Sequence, residues 1–205
     1  FNNSITYSGD LISSTSGTSN FRAGVNAGNS IASGGNYNVL IGDEAGTAIT
    51  TGDSNVAVGF EALKTEDADG KTTAVGFQAL KTQNAGADSN NTAVGYAAGA
   101  ANTTGTYNTF IGSEAGEANT TGANNTAVGA LALESTTEGT NNTAIGQASL
   151  FENTLGSKSI AVGRGTLQNQ NPTTATDMFN TAVGHEAGND ITTGNLNTLI
   201  GGNAG

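Results

Sequence analysis

Four glutamates, Glu44, Glu61, Glu114 and Glu186, each stand two residues after a recurring glycine. In a coiled chain they would rise as a column of carboxylates, the raw material of a Ca²⁺ site or of an acid–base pair. Other copies break the column with Gln78, Ala97, Leu131 and Ala148. Ca²⁺ needs several oxygens converging on one point, and no Gly-Gly-x-Gly-x-Asp run supplies them. These acids read as a solvated face, and neither metal nor cofactor is expected.

Phe60, Phe77 and Tyr96 directly follow that glycine in three successive copies. Stacked, they would form a glycan-contact strip or pack within or between chains. His185 has no partner pattern and is expected at the surface. Gly-x-Ser-x-Gly, P-loop and His-Glu-x-x-His motifs are absent. No catalytic residue is assigned, and the chain does not read as an enzyme.

Asparagine offers a second chemistry. Asn-x-Ser/Thr occurs at Asn2, Asn90, Asn102, Asn119, Asn124 and Asn141, which leaves sugar attachment open. A structural reading is stronger for another set. Asn38, Asn55, Asn91, Asn108, Asn125, Asn142, Asn180 and Asn197 all stand four residues before the glycine. Stacked in register, they would bond between coils and satisfy turn backbone.

The elements that position these residues follow from one hexad, Asn124-Asn125-Thr126-Ala127-Val128-Gly129. Its last glycine recurs as Gly24, Gly42, Gly59, Gly76, Gly95, Gly112, Gly129, Gly146, Gly163, Gly184 and Gly201, most often 17 residues apart. Thr126 and Val128 share one face and Ala127 takes the other, the period of a strand. The Val/Ile column is expected to be buried. A second short strand would carry the Ala three residues past the glycine. A turn such as Thr120-Thr121-Gly122 would close the unit. About eleven 17-residue coils then make an all-β parallel β-solenoid over 20–205, continuing or capped beyond that. Residues 1–19 are an irregular junction or a degenerate coil, in which Ile5–Tyr7 and Leu11-Ile12 could be short strands.

Two further patterns bear on the core. The fourth residue after the glycine is Leu (63, 80, 133, 150, 167) or Gly, and Gly28, Gly46 and Gly188 are followed three residues on by Ile31, Ile49 and Ile191. One bulky group per coil thus comes from either place, but Gly99 and Gly116 break the rule. Extra residues around Asp88 and from Pro172 to Phe179 are expected to be extruded as loops, with 64–70, 81–89 and 168–179 as acting surface.

Composition narrows the function. The net charge is −11, from 17 acidic and 6 basic residues, which disfavours nucleic acid and anionic membrane. Nothing reads as a secretory leader or a bilayer-spanning stretch. So thin a coil suggests a core shared with partner chains.

Repeated Asn-Thr-Ala-Val-Gly (91–95, 125–129, 180–184) and Asn-Thr-Ala-Ile-Gly (142–146), followed by x-x-Ala and Thr-Thr-Gly, resemble the head repeats of trimeric autotransporter adhesins. They also resemble the shaft repeats of phage tail-fibre-like proteins, and the 17-residue spacing favours this branch. The resemblance implies a parallel homotrimer, an extracellular place on a virion fibre or bacterial surface, and support of attachment to a cell surface or glycan. Two rivals are a monomeric ice-binding solenoid, which would need an unbroken Thr rank, and a polysaccharide-degrading tailspike-like enzyme, which would need clustered carboxylates in a groove.

Overall fold

The structure, a computed structural model, describes residues 15–205. The short strands expected at Ile5–Tyr7 and Leu11-Ile12, and the sequon at Asn2, lie outside the described residues. Thirteen short strands follow in chain order: β1 (Phe21–Ala23), β2 (Val39–Ile41), β3 (Val56–Val58), β4 (Thr73–Val75), β5 (Thr92–Val94), β6 (Thr109–Ile111), β7 (Thr126–Val128), β8 (Thr143–Ile145), β9 (Gly156–Ser157), β10 (Ile160–Val162), β11 (Thr176–Asp177), β12 (Thr181–Val183) and β13 (Thr198–Ile200). Eleven of them form one parallel sheet in sequence order, omitting only β9 and β11. Register is one hexad on the next: Thr126 faces Thr143, Ala127 faces Ala144, and Val128 faces Ile145. The chain is a parallel β-solenoid of eleven coils, with no helix among the described residues.

The glycine after each of β1 to β8, β10 and β12 is required by a close approach. At Gly59 (φ +136°) a Cβ would lie 2.6 Å from the carbonyl carbon of Gly76 one coil on. Stacked backbones leave no room for a side chain there.

The second strand expected in each coil is not formed. Where it was placed, two residues adopt left-handed backbone, as at Leu131 (φ 61°) and Leu133 (φ 53°). Left-handed geometry is costly for a side-chain-bearing residue. Hydrogen bonds to both neighbouring coils offset that cost. The Leu131 N–H donates to the Ser113 carbonyl in the coil before (2.9 Å), and the Leu133 N–H to the Ser149 carbonyl in the coil after (3.0 Å). A uniformly extended strand could not aim its amides this way.

The expected core face is also reversed. Ala57, Ala74, Ala93, Ala127, Ala144, Ala161 and Ala182, at the middle of their strands, are fully buried. Their Val and Ile neighbours point outward, with Val94 38% and Ile145 40% exposed. Alternation separates two faces without saying which is inside. Interior volume decides it, because most coils already place a leucine inside and an alanine at mid-strand leaves that side chain room. A second row, including Ala62, Ala79, Ala115 and Ala132, completes the interior with Leu63, Leu80, Leu133, Leu150 and Leu167.

The two coils that broke the volume rule are explained by the strand. Phe110 replaces the middle Ala and is buried. Its ring occupies the space above both Gly99 and Gly116. Leu40 does the same for Gly28 and Gly46, and Leu199 for Gly205, while Gly188 is closed chiefly by Leu167. A large residue at mid-strand thus goes with glycine at the Leu position in its own coil and in the coil before.

The long insertion is not wholly extruded. Pro172 and Met178 are buried. Thr176–Asp177 pairs in parallel with Gly156–Ser157, so the segment returns to the rod as a small second sheet. Met178 supplies the apolar group that holds it there.

Candidate functional site: the outer face

Two columns share the outer face of the sheet. From β2 onward, one holds the Val or Ile that ends each strand of the large sheet; the other holds the Thr, Val or Ile that starts it. Thr92 and Thr126 are half-buried, while the alanines between the columns are buried. The result is a row of β-branched side chains along the rod, offering methyl groups and, at most coils, a hydroxyl.

The aromatic strip lies just beyond this sheet. Phe60 and Phe77 stack at 5.3 Å between ring centres and 21° between planes; Phe77 and Tyr96 stack at 5.3 Å and 7°. All three are exposed, at 41%, 41% and 53%. Their faces are largely turned on one another, so the strip presents ring edges plus the free faces at its two ends. One coil step of strand spacing, close to a stacking distance, puts them there.

An ion network stands beside the strip. Lys64 bridges Glu44 (2.5 Å) and Glu61 (2.7 Å), Lys81 reaches Glu61 (2.7 Å), and the Gln78 amide donates to Glu61 (2.7 Å). Hydrogen bonds from Lys64 and then Lys81 hold the Glu61 carboxyl well down, at about 2. Sequence reading placed Glu61 on a solvated face; it is buried under these partners. Further along, partial burial and the charges of Glu114 and Glu134 raise the Glu117 pKa. Among the described residues no three His, Cys, Asp or Glu side chains converge as a metal site would need. His185 is exposed but not alone: Arg164 lies within hydrogen-bond distance (3.2 Å) and is paired with Glu186 (2.8 Å).

The asparagine column is bonded from coil to coil. Asn125 Nδ2 donates to the Gly139 carbonyl (2.7 Å) and Asn125 Oδ1 accepts the Asn142 N–H (3.0 Å). Asn38, Asn91, Asn108 and Asn142 donate likewise to Gly52, Gly105, Gly122 and Gly156, and Asn180 to Gly194. Asn55 donates to Asp69, which stands where other coils have that glycine. Asn197 bonds Asn180 through both its N–H and its amide. Most of these bonds run from side chain to backbone rather than amide to amide.

The sequons divide. Asn102 and Asn119 are fully buried, their amides turned to the Gly105 and Gly122 carbonyls, so no sugar can be carried there in this fold. Asn124 and Asn141 are exposed. Asn102 and Asn119 belong to an interior polar column that sequence reading missed, with Gln83, Thr136, Asn153 and Gln170. Its signal was available: these are the polar residues seven after the glycine, in the same place as Ile31, Ile49 and Ile191.

Fold and outer face together define a repeat protein, a parallel β-solenoid with one β-branched face left open. Comparison with protein-family models, with curated proteins and with solved structures finds no match to this chain.

Proposed function

We propose that this chain is a structural shaft segment of a fibre, of the phage tail-fibre or bacterial surface-adhesin kind. Its copies associate in parallel as a homotrimer through the β-branched outer face, outside the cell, and support attachment to a cell surface or glycan. The observation that carries this reading is the outward column of Val and Ile, exposed at Ile41, Val94, Ile111, Ile145, Val183 and Ile200 and half-buried at Val58, Val75, Val128 and Val162. A long apolar row is more than an unpartnered soluble protein ordinarily leaves in water. Covering it with the same row of another copy would bury it at every level of the rod. The aromatic strip is the candidate glycan contact, through its edges and end faces.

The chain has no cysteine, so Val128→Cys gives a clean test. Association through this face predicts rapid, concentration-independent disulfide cross-linking between copies. Thr126 and its column favour a second reading, ice binding by a monomer, since the hydroxyls lie on the outer face and not in the core. Ile160, Val39 and Val56 interrupt that rank. A monomer that slows ice growth and fails to cross-link would support it over the fibre.

A further inference from the structure

The coil that follows Gly59 carries Glu66 in the interior polar column and Asp69 where neighbouring coils have Gly52 and Gly86. Both carboxyls are enclosed, at 0% and 1% exposure. Glu66 Oε1 accepts the Asp69 N–H (2.8 Å). Asp69 Oδ2 accepts the N–H groups of Ala85 and Gly86, the latter at 2.9 Å. That leaves Glu66 Oε2 and Asp69 Oδ1 buried without a partner, on side chains within hydrogen-bond reach of each other. Two ionised carboxyls offer only acceptors, so these oxygens cannot satisfy one another as they stand. A single proton placed between them satisfies both and removes one of two adjoining buried charges.

We propose that Glu66 and Asp69 hold one shared proton between Oε2 and Oδ1, and that this proton latches the 84–88 turn onto the solenoid. The turn is the one lengthened around Asp88, and its amides are what Asp69 grips. Cations offer no relief. Lys71, on the same turn as Asp69, is exposed and already paired with Asp88. Asp53 on the turn before, with Asp67 and Asp88, adds only negative charge at the surface. The side chains at the equivalent interior position on either side are Ile49 and Gln83, both neutral. Burial, and then the charge of Asp69, push the Glu66 pKa up to about 8. A Ca²⁺ ion would need six to eight oxygens where two are free.

The pKa is raised in the folded chain, so the stabilisation is complete below the ordinary carboxylate range. It is lost as pH rises through about 8, and stability then levels off. Once the proton leaves, repulsion turns one carboxyl outward and the Ala85 and Gly86 amides are released.

The test is NMR of the ¹⁵N,¹³C-labelled chain between pH 6 and 10. The Glu66 side-chain carboxyl carbon and the Gly86 amide are expected to titrate together. Gly86 exchange, corrected for its intrinsic pH dependence, is expected to rise by about tenfold or more across the step. Glu66→Gln keeps the size, repeats the residue found at Gln83 and Gln170, and supplies a permanent N–H donor to Asp69. In that variant the Gly86 titration is expected to vanish and the turn to stay protected at pH 10. An ordinary Glu66 titration near pH 4 to 5 overturns the proposal, and so does an unchanged Gly86 step in Glu66→Gln. A midpoint that moves with millimolar Ca²⁺ also overturns it, in favour of a cation. The carboxyl measurement uses the unmodified chain and stands if the variant fails to fold.

Discussion

A Cβ placed on Gly99 would lie 2.6 Å from Cδ2 of Phe110, and the same ring closes over Gly116 in the next coil. One side chain therefore fills the space that two leucines fill elsewhere in the rod. Phe110→Ala should cost about 3–5 kcal/mol, as phenylalanine truncations in cores do, since neither glycine can refill the space. Adding Gly116→Leu should recover much of the loss, because Leu133 and Leu150 already adopt the left-handed backbone that position needs. Denaturant melts of the single and double variants measure both effects.

Asn125 satisfies two backbone groups in neighbouring turns, the Gly139 carbonyl and the Asn142 N–H. Asn125→Ala leaves both buried without partners, at about 1–3 kcal/mol each. The expected loss is about 2–4 kcal/mol, with faster amide exchange at Asn142. An exposed asparagine on ordinary backbone, such as Asn195, should be replaceable at little cost. Paired melts of the two variants give the comparison.

Glu61 gives the acid limb of stability. Its pKa is depressed to about 2, chiefly by Lys64 and then Lys81. That contribution is present above the ordinary value of 4.5 and is lost as pH falls from there toward 2. Glu61→Gln should therefore lower Tm at pH 7, and the gap to the parent should close near pH 2. Thermal melts at the two pH values check the sign.

Phe77 is the middle ring of the aromatic stack. If the strip touches glycan, Phe77→Ala should weaken attachment to cells or immobilised polysaccharide several-fold while leaving the melt nearly unchanged. Equal attachment by the variant would remove glycan contact from the account.

Much of this architecture was legible in the hexads. Their period sets the coil, and alternation in Thr126-Ala127-Val128 sets the strand. The side of the sheet that lies inside was not legible, because Ala and Val are both apolar and only interior volume separates them. The left-handed pair was half-written in the glycines at 28, 46 and 99, but Leu63 and its equivalents hid it, since leucine seldom takes that backbone. Phe110 explains Gly99 only after strand and turn are known to face each other across the core. Glu66 and Asp69 looked like ordinary surface acids until the seventh position proved to be interior. The docking of the insertion through Met178 was not legible either, because extra residues between a turn and the next strand read as an extruded loop.

In the proposed fibre, the outward Val and Ile row is the association face. Light scattering on the parent chain and on Val128→Asp tests it most directly. An outward substitution should leave the fold of each coil intact. The expected result is a molar mass of three chains for the parent, and a folded monomer, or a weakened assembly, for the variant. A parent that is a folded monomer at micromolar concentration would contradict it.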